Sequence, residues 1–253
     1  MVFVRFLYNN RISYGVVEKD KVYELEGNFL ENLNKTDTVY DFFDIKILTP
    51  VIPSKIICVG LNYINHGKEL KMPIPKEPII FLKPPSSILN PEEDIVCPSY
   101  VKRLDYEAEL AVIIKKKGKN IPQKDIHKYL FGYTCFNDVT ARDIQEKDGQ
   151  WTRAKSFDTF APLGPVVVTD INIDNLKIEL YLNDVKKQSS KTDNLIFSIE
   201  EIVSFVSKVM TLYPGDVIAT GTPSGVGPMK PGDIVEVKID KIGSLRNYVR
   251  LEQ

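Results

Sequence analysis

Three carboxylates stand in apolar surroundings and invite a chemical reading. Glu107 and Glu109 are two residues apart in LDYEAELAVII, and Asp138 follows a second apolar run in GYTCFNDVTARDIQ. In a strand, side chains two apart project from one face, so the two glutamates share a face while Ala108 and Leu110 turn the other way. Like charges side by side repel, and in a concave site they require a cation or a shared proton. A solvent-exposed strand face is the plainer alternative. Asp138, at the end of another predicted strand, tips the reading toward a site. Three oxygen ligands with no cysteine or adjacent histidine suit a hard ion, Mg2+ or Mn2+, whose octahedral shell would keep about three positions for water or a chelating substrate. A 2-oxo acid offers carboxylate and keto oxygens at that spacing.

The chain has two histidines, His66 and His127. In GLNYINHGKEL, His66 and Glu69 are three apart and share a face if the segment is helical. A carboxylate bound to imidazole fixes its tautomer and raises its basicity, as a general base for water requires. An ordinary ion pair on an exposed helix fits the same spacing. Lys155, in WTRAKSFDTFAPLGP, either stabilises an oxyanion or carries its ammonium to the surface. TGTPSGVGP lacks the endings of nucleotide-binding loops. Its amides and the Thr222 hydroxyl suit a carboxylate, and a plain turn cluster is the competing reading.

These residues need elements to hold them. The first fifty residues alternate apolar and polar side chains in VFVRFLYNN, ISYGVVEK and KVYELEG, which predicts short antiparallel strands. Short helical turns are expected at Phe29 to Leu33 and Val39 to Phe43. TPVIPSK marks a boundary near residues 48 to 54, dividing a small unit (1–50) from a main domain (54–253). In the latter, KIICVGLNY is a predicted strand, Tyr63 to Leu70 a helix, LDYEAELAVII part of one long strand, residues 123 to 130 a helix, and Tyr129 to Asn137 a strand. SIEEIVSFVSKVMTL gives the clearest helix: Ile199, Ile202, Val203, Val206 and Met210 share a face, and Ser198 with Glu201 forms a capping box. Strands dominate without βαβ alternation, so the expected class is a β-rich α+β fold, a roll or sandwich with few helices.

Composition narrows the functional classes. Of 253 residues, 43% are hydrophobic and 26% charged, and the formal net charge is -1, so no global field draws nucleic acid or an anionic membrane. The run Lys115-Lys116-Lys117-Gly118-Lys119 reads as a solvated turn. No stretch approaches the roughly 18 apolar residues of a membrane helix, and the N-terminus has no secretory pattern. Cys58, Cys97 and Cys135 are widely spaced in apolar sequence. Buried free thiols and a cytoplasmic location are therefore expected.

In order, GLNYINHGKEL, FLKPPSSI, LDYEAELAVII, GYTCFNDVTARDIQ, QWTRAKSFDTFAPLGP and GDVIATGTPSGVG resemble motifs of the fumarylacetoacetate hydrolase family across residues 55 to 240. The first fifty residues resemble the small extension of its shorter members. The resemblance implies a mixed β-roll, a homodimer and a Mg2+ or Mn2+ site. It assigns the metal ligands to Glu107, Glu109 and Asp138, a catalytic dyad to His66 and Glu69 on a segment that orders over substrate, and Lys155 to the developing enolate. Arg142 and Gln145 match substrate-adjacent positions, and Thr222 one that contacts the substrate carboxylate or keto group. His127 has no counterpart and is expected at the surface.

The implied chemistry is hydrolytic carbon–carbon cleavage of an acylpyruvate-type 2-oxo acid or isomerisation of a 2-hydroxydienedioate. Oxaloacetate decarboxylation and dehydration of a 3-deoxy-2-oxo sugar acid share the same enolate. A non-catalytic sensor of metal and oxo acid is the alternative from another class, and His66 with Glu69 argues against it, because chelation needs no base. The distal end of the substrate is expected to be set by loops at Lys71 to Pro78 and Lys147 to Gln150.

Overall fold

Asn9 and Asn10 both take positive φ (46° and 60°), the conformation of a tight hairpin turn whose twist matches its strands. That turn joins Val2–Tyr8 to Arg11–Glu18, and Lys21–Leu25 and Lys35–Asp41 continue the meander. The computed structural model of the chain describes residues 1–69 and 73–252. It departs from expectation at Val39 to Phe43: residues 39–41 belong to the strand Lys35–Asp41, and a single 3-10 turn follows at Phe42–Asp44. Pairing with Lys21–Leu25 decides the matter, since an isolated apolar run has no ladder to identify it. Of the helical turn expected at Phe29 to Leu33, residues 29–31 form a turn and residues 32 and 33 do not.

The meander is continuous with a twelve-stranded mixed sheet. Val2–Tyr8 lies beside Ala161–Val168, followed by Leu130–Asn137, Ala108–Ile114, Val217–Ala219, Ile56–Val59 and Ile80–Lys83. Ala108–Ile114 is buried along its whole length, with Leu110, Val112 and Ile114 in one core cluster and Ala111 and Ile113 in another. The sheet is thus covered on both faces, which explains why this strand is nearly all apolar. By the two-residue period, Glu109 stands on the face of Ala111 and Ile113, at the end of their row. A five-stranded sheet (Val185–Lys191, Lys177–Leu182, Ile234–Ile239, Gly243–Leu251, Asp94–Cys97) packs against the large one, and a three-stranded one joins Thr140–Ala141, Leu104–Tyr106 and Gly227–Met229.

Helices are few. Ile199–Val209 carries the expected capping box, with the Glu201 N–H on Ser198 and the Ser198 N–H on Glu201. Gln123–Lys128 is 3-10 rather than α. The helix expected at Tyr63 to Leu70 spans Ile64–Glu69; Leu70 and Lys71 lie outside the described residues. The class is β-rich with few helices, as expected. The three cysteines are free and buried, and His127 is exposed. No helix among the described residues is long and apolar enough to cross a membrane.

Candidate active site

The expected long strand through LDYEAELAVII is broken at its most important residue. Leu104–Tyr106 pairs in the small sheet and Ala108–Ile114 in the large one, leaving Glu107 at the crossing. Its backbone is satisfied locally: Asn137 Oδ1 accepts the Glu107 N–H at 2.9 Å, and the Asp138 N–H donates to the Glu107 carbonyl at 2.9 Å. Those bonds also bring the end of Leu130–Asn137 to the break. Glu107, Glu109 and Asp138 are all buried, and each offers a carboxylate oxygen within 4.8 Å of the others.

Cations are distributed unevenly over this triad. Lys155 Nζ reaches Glu107 Oε2 at 2.9 Å and Asp138 Oδ2 at 2.7 Å. Lys83, 1% exposed, donates to Asp138 Oδ1 at 2.5 Å and to the Val139 carbonyl at 3.0 Å. Arg142 binds Glu107, Gln145 and Asp105, and Arg103 closes the far side of Asp105 at 2.9 Å. An alternating chain of charge thus runs from the surface at Arg103 through Asp105, Arg142, Glu107, Lys155 and Asp138 to the interior at Lys83. Glu109 stands off it, with one hydrogen bond among the described residues, from the Gly221 N–H at 2.8 Å.

The titration behaviour follows from this placement. Burial alone would push Glu107 up, but Lys155 and Arg142 hold it well below the usual carboxylate range. Burial raises Glu109 far above that range, and the charges of Asp138 and Glu107 push it the same way. Lys155 would lose its proton more readily on burial, yet Asp138 and Glu107 keep it above the ordinary lysine value. Burial draws Lys83 down, offset only in part by Asp138.

His66 Nδ1 lies 3.1 Å from Glu69 Oε2, the contact that their helical spacing predicts. Glu69 is also held by the Gly225 N–H, at 3.1 and 3.2 Å to its two oxygens. The loop from Gly221 to Gly225 therefore touches the triad at one end and the dyad at the other. Its glycines are required by position. Gly225 has φ +96°, and a Cβ there would lie 2.3 Å from the Lys187 carbonyl; Gly221 has φ +97°, with Asn62 Cβ 2.7 Å from the same point. Gly225→Ala is expected to destabilise the fold by about 1–3 kcal/mol and to lower turnover by displacing Glu69. Urea unfolding measures the first effect, and a wild-type midpoint would mean that the loop accommodates a side chain.

A cavity of about 330 Å³ is lined by His66, Glu107, Arg142, Gln145 and Lys155, with Leu61, Phe81 and Trp151 as an apolar wall. Glu69, Glu109, Asp138 and Thr222 are not on that lining: Glu69 and Asp138 bond to His66 and Lys155, which are, Glu109 is held by the glycine loop at Gly221, and Thr222 sits on that loop. Phe81 meets Trp151 edge-on at 5.2 Å and lies 5.1 Å beneath the Lys155 ammonium. Contributors not singled out from sequence include Lys83, Asp105, Asn137 and Gln188, whose Oε1 accepts the Ala108 N–H at 2.9 Å between the two glutamates. Lys83 left one signal, a lysine closing the apolar strand Ile80–Lys83.

Residues 55–250 match the model described as fumarylacetoacetate (FAA) hydrolase C-terminal, and residues 1–50 match Rv2993c-like, N-terminal. Oxaloacetate tautomerase Fahd2a, mitochondrial, of Rattus norvegicus is 45% identical over 217 residues, 81% of this chain and 69% of that protein. The crystal structure of 5-carboxymethyl-2-hydroxymuconate delta-isomerase from Mycobacterium smegmatis superposes with a TM-score of 0.95 at 38% identity, covering 100% of both chains. Maleylpyruvate hydrolase from Sphingobium sp. SYK-6, in complex with manganese(II) ion and pyruvate, gives 0.83 at 29% identity, again over 100% of each chain. With the matched model spanning most of its length, the chain belongs to the fumarylacetoacetate hydrolase family.

Proposed function

We propose that this protein is a divalent-metal enzyme that moves a proton between carbon and oxygen of a small 2-oxo acid. The observation that carries the reading is Lys155, bonded to both Glu107 and Asp138 and lining the same cavity as His66. The triad fits a hard cation on its own chemistry: three buried carboxylates converge, and one of them, Glu109, has no cationic partner among the described residues. Glu107, Glu109 and Asp138 would hold Mg2+ or Mn2+, which when bound supplies Lewis acidity toward the 2-oxo group.

The protein's own groups then divide the work. Glu69 accepts from His66 Nδ1, so Nε2 is left as the base that takes a proton from the carbon next to the 2-oxo group. Lys155, kept protonated by its two carboxylates, stabilises the negative charge that develops on the keto oxygen. Returning the proton to that oxygen completes keto–enol exchange. Arg142 and Gln145 line the cavity and are placed to orient the acid, and the wall of Leu61, Phe81 and Trp151 limits water.

Proton transfer is favoured over hydrolysis because the names borne by relatives at 38–45% identity, a tautomerase and an isomerase, both denote such shifts. Hydrolytic cleavage, with His66 activating water instead, is supported by the 29% identical maleylpyruvate hydrolase. Metal-stripped protein assayed with and without Mg2+ or Mn2+ tests both: enol–keto exchange of oxaloacetate by ultraviolet absorbance, and acetylpyruvate cleavage by pyruvate release. Metal-restored exchange supports the first reading, and metal-restored cleavage alone supports the second. Binding of 2-oxo acids without turnover would leave a sensor.

The raised pKa of Glu109 has a thermodynamic counterpart in the metal-free protein. A folded-state pKa above the unfolded value of about 4.3 means that the fold binds more protons in the window above that value. Stability then falls as pH rises through the window, until Glu109 is ionised in both states. Glu107 is depressed, so its contribution is present above the ordinary value and lost only in acid. Above the unfolded value the Glu109 effect is expected to lower the Tm of chelator-treated protein as pH rises, with saturating Mn2+ reversing the slope. Scanning calorimetry measures both slopes, and a metal-free Tm that climbs with pH would contradict the assignment.

A further inference from the structure

Arg142 and Lys155 are the only lysine or arginine side chains on the cavity lining among the described residues, and both bond to Glu107. His66, the remaining basic group there, is bonded to Glu69. Positive charge is thus gathered at the triad end of the cavity.

The helix Arg142–Asp148 leads outward from that end. Arg142 and Gln145 are half-buried; Glu146, one turn beyond Arg142 on the same face, is exposed yet still lines the cavity. A carboxylate therefore stands at the mouth. Arg103 feels its charge but is bonded to Asp105, and Arg153 is bonded to Asp148. Between mouth and triad the wall is apolar and packed: Trp151 rests on Gly60, where an added Cβ would lie 2.5 Å from its ring. Neither residues 73–78 nor residues 147–150, stretches expected to select the distal end of the substrate, contribute to the lining. Selection falls instead to this wall and to Glu146.

A 2-oxo acid held at the triad end sends its tail along the wall toward the mouth. A second carboxylate on that tail would leave water for apolar side chains, with an anion ahead of it and no unshared cation at hand. An uncharged tail meets neither penalty.

We infer that Glu146 is a specificity-determining residue, through which the site selects monocarboxylic 2-oxo acids with an uncharged tail over dicarboxylic ones. The inference rests on the 2-oxo acid reading above and names the substrate class within it. It concerns acids of five or more carbons. One helical turn, about 6 Å, separates Arg142 from Glu146, a distance that roughly three or four bonds and a terminal carboxylate bridge. The four carbons of oxaloacetate end short of it.

Calorimetric binding of two matched pairs to the Mn2+-loaded full-length protein tests the inference. The pairs are 2-oxopentanoate with 2-oxoglutarate and 2-oxohexanoate with 2-oxoadipate, each in wild type, E146D, E146Q and E146K. The readout is the affinity ratio within a pair, so a loss common to both acids cancels. Wild type is expected to bind the monocarboxylic member about tenfold or more tightly than its partner. E146D should keep that preference, E146Q should reduce it to about threefold or less, and E146K should invert it. Wild type that binds the dicarboxylic acids as tightly, ratios unchanged in E146Q and E146K, or binding of pyruvate but of none of the four acids would overturn the inference while leaving the 2-oxo acid reading intact. Failure of wild type to bind pyruvate or any of the four would overturn that reading, and the inference with it.

Discussion

Glu109→Ala is expected to weaken Mn2+ or Mg2+ binding by about a hundredfold or more while leaving the protein folded. Lys155 already serves Glu107 and Asp138, and Arg142 and Lys83 add further positive charge to them. Among the described residues Glu109 has only the Gly221 amide. Its charge is the part of the triad that an external cation would have to match, so its removal strikes ion binding hardest. The same reasoning sets the sign of a second readout. Deleting a buried carboxylate that lacks a cation removes a desolvation cost, so the metal-free variant should unfold no lower than metal-free wild type. Calorimetric titration and thermal unfolding with and without Mn2+ check the pair. Wild-type affinity in the variant would remove Glu109 from the ligand set, and a collapsed metal-free Tm would recast it as structural.

His66→Ala should separate chemistry from binding. A positioned general base contributes about a hundredfold to ten-thousandfold to rate. His66 lines the cavity, but its recorded bond is to Glu69 rather than to any carboxylate of the triad. Turnover is therefore expected to fall by about that range, with metal affinity changed by less than about threefold. Steady-state kinetics and Mn2+ titration on one preparation give both numbers. Equal and mild losses in the two would contradict the division of labour. Glu69→Gln offers a graded comparison: an amide can still accept from Nδ1 and from Gly225, but it cannot stabilise an imidazolium as a carboxylate does.

Much of the site was legible before any fold was known, for reasons that are local. The two-residue period placed Glu107 and Glu109 together, and the three-residue helical spacing placed His66 against Glu69. The break between Leu104–Tyr106 and Ala108–Ile114 was not legible, because both halves are apolar and the interruption is made by Asn137 and Asp138, thirty residues on. Lys83 and Gln188 were hidden for the same reason. Their partners stand 55 and 80 residues away, so nothing in FLKPPSSI or VKKQSSK distinguishes a buried polar group from a solvated one. Asp105 was not singled out, and its part emerges only where Arg103 and Arg142 close on it from both sides. Local rules find groups that act on their neighbours in the chain, whereas groups that orient other groups are found only once the sheets meet.

The junction of the first fifty residues with the rest has its own consequence. Val2 and Phe3 pair with Val168 and Val167, and Phe3 and Phe29 pack on Phe131 with ring centroids 5.1 and 5.0 Å apart. A chain trimmed to its larger matched segment would keep Ala161–Val168 but lose the neighbour that completes one end of it. Unpaired amides and carbonyls beside a newly bared Phe131 make a template on which other chains can add strands. The leading segment thus acts as a guard against self-association, and the shortened chain is expected to be lost first to fibrous aggregates rather than to failed chemistry.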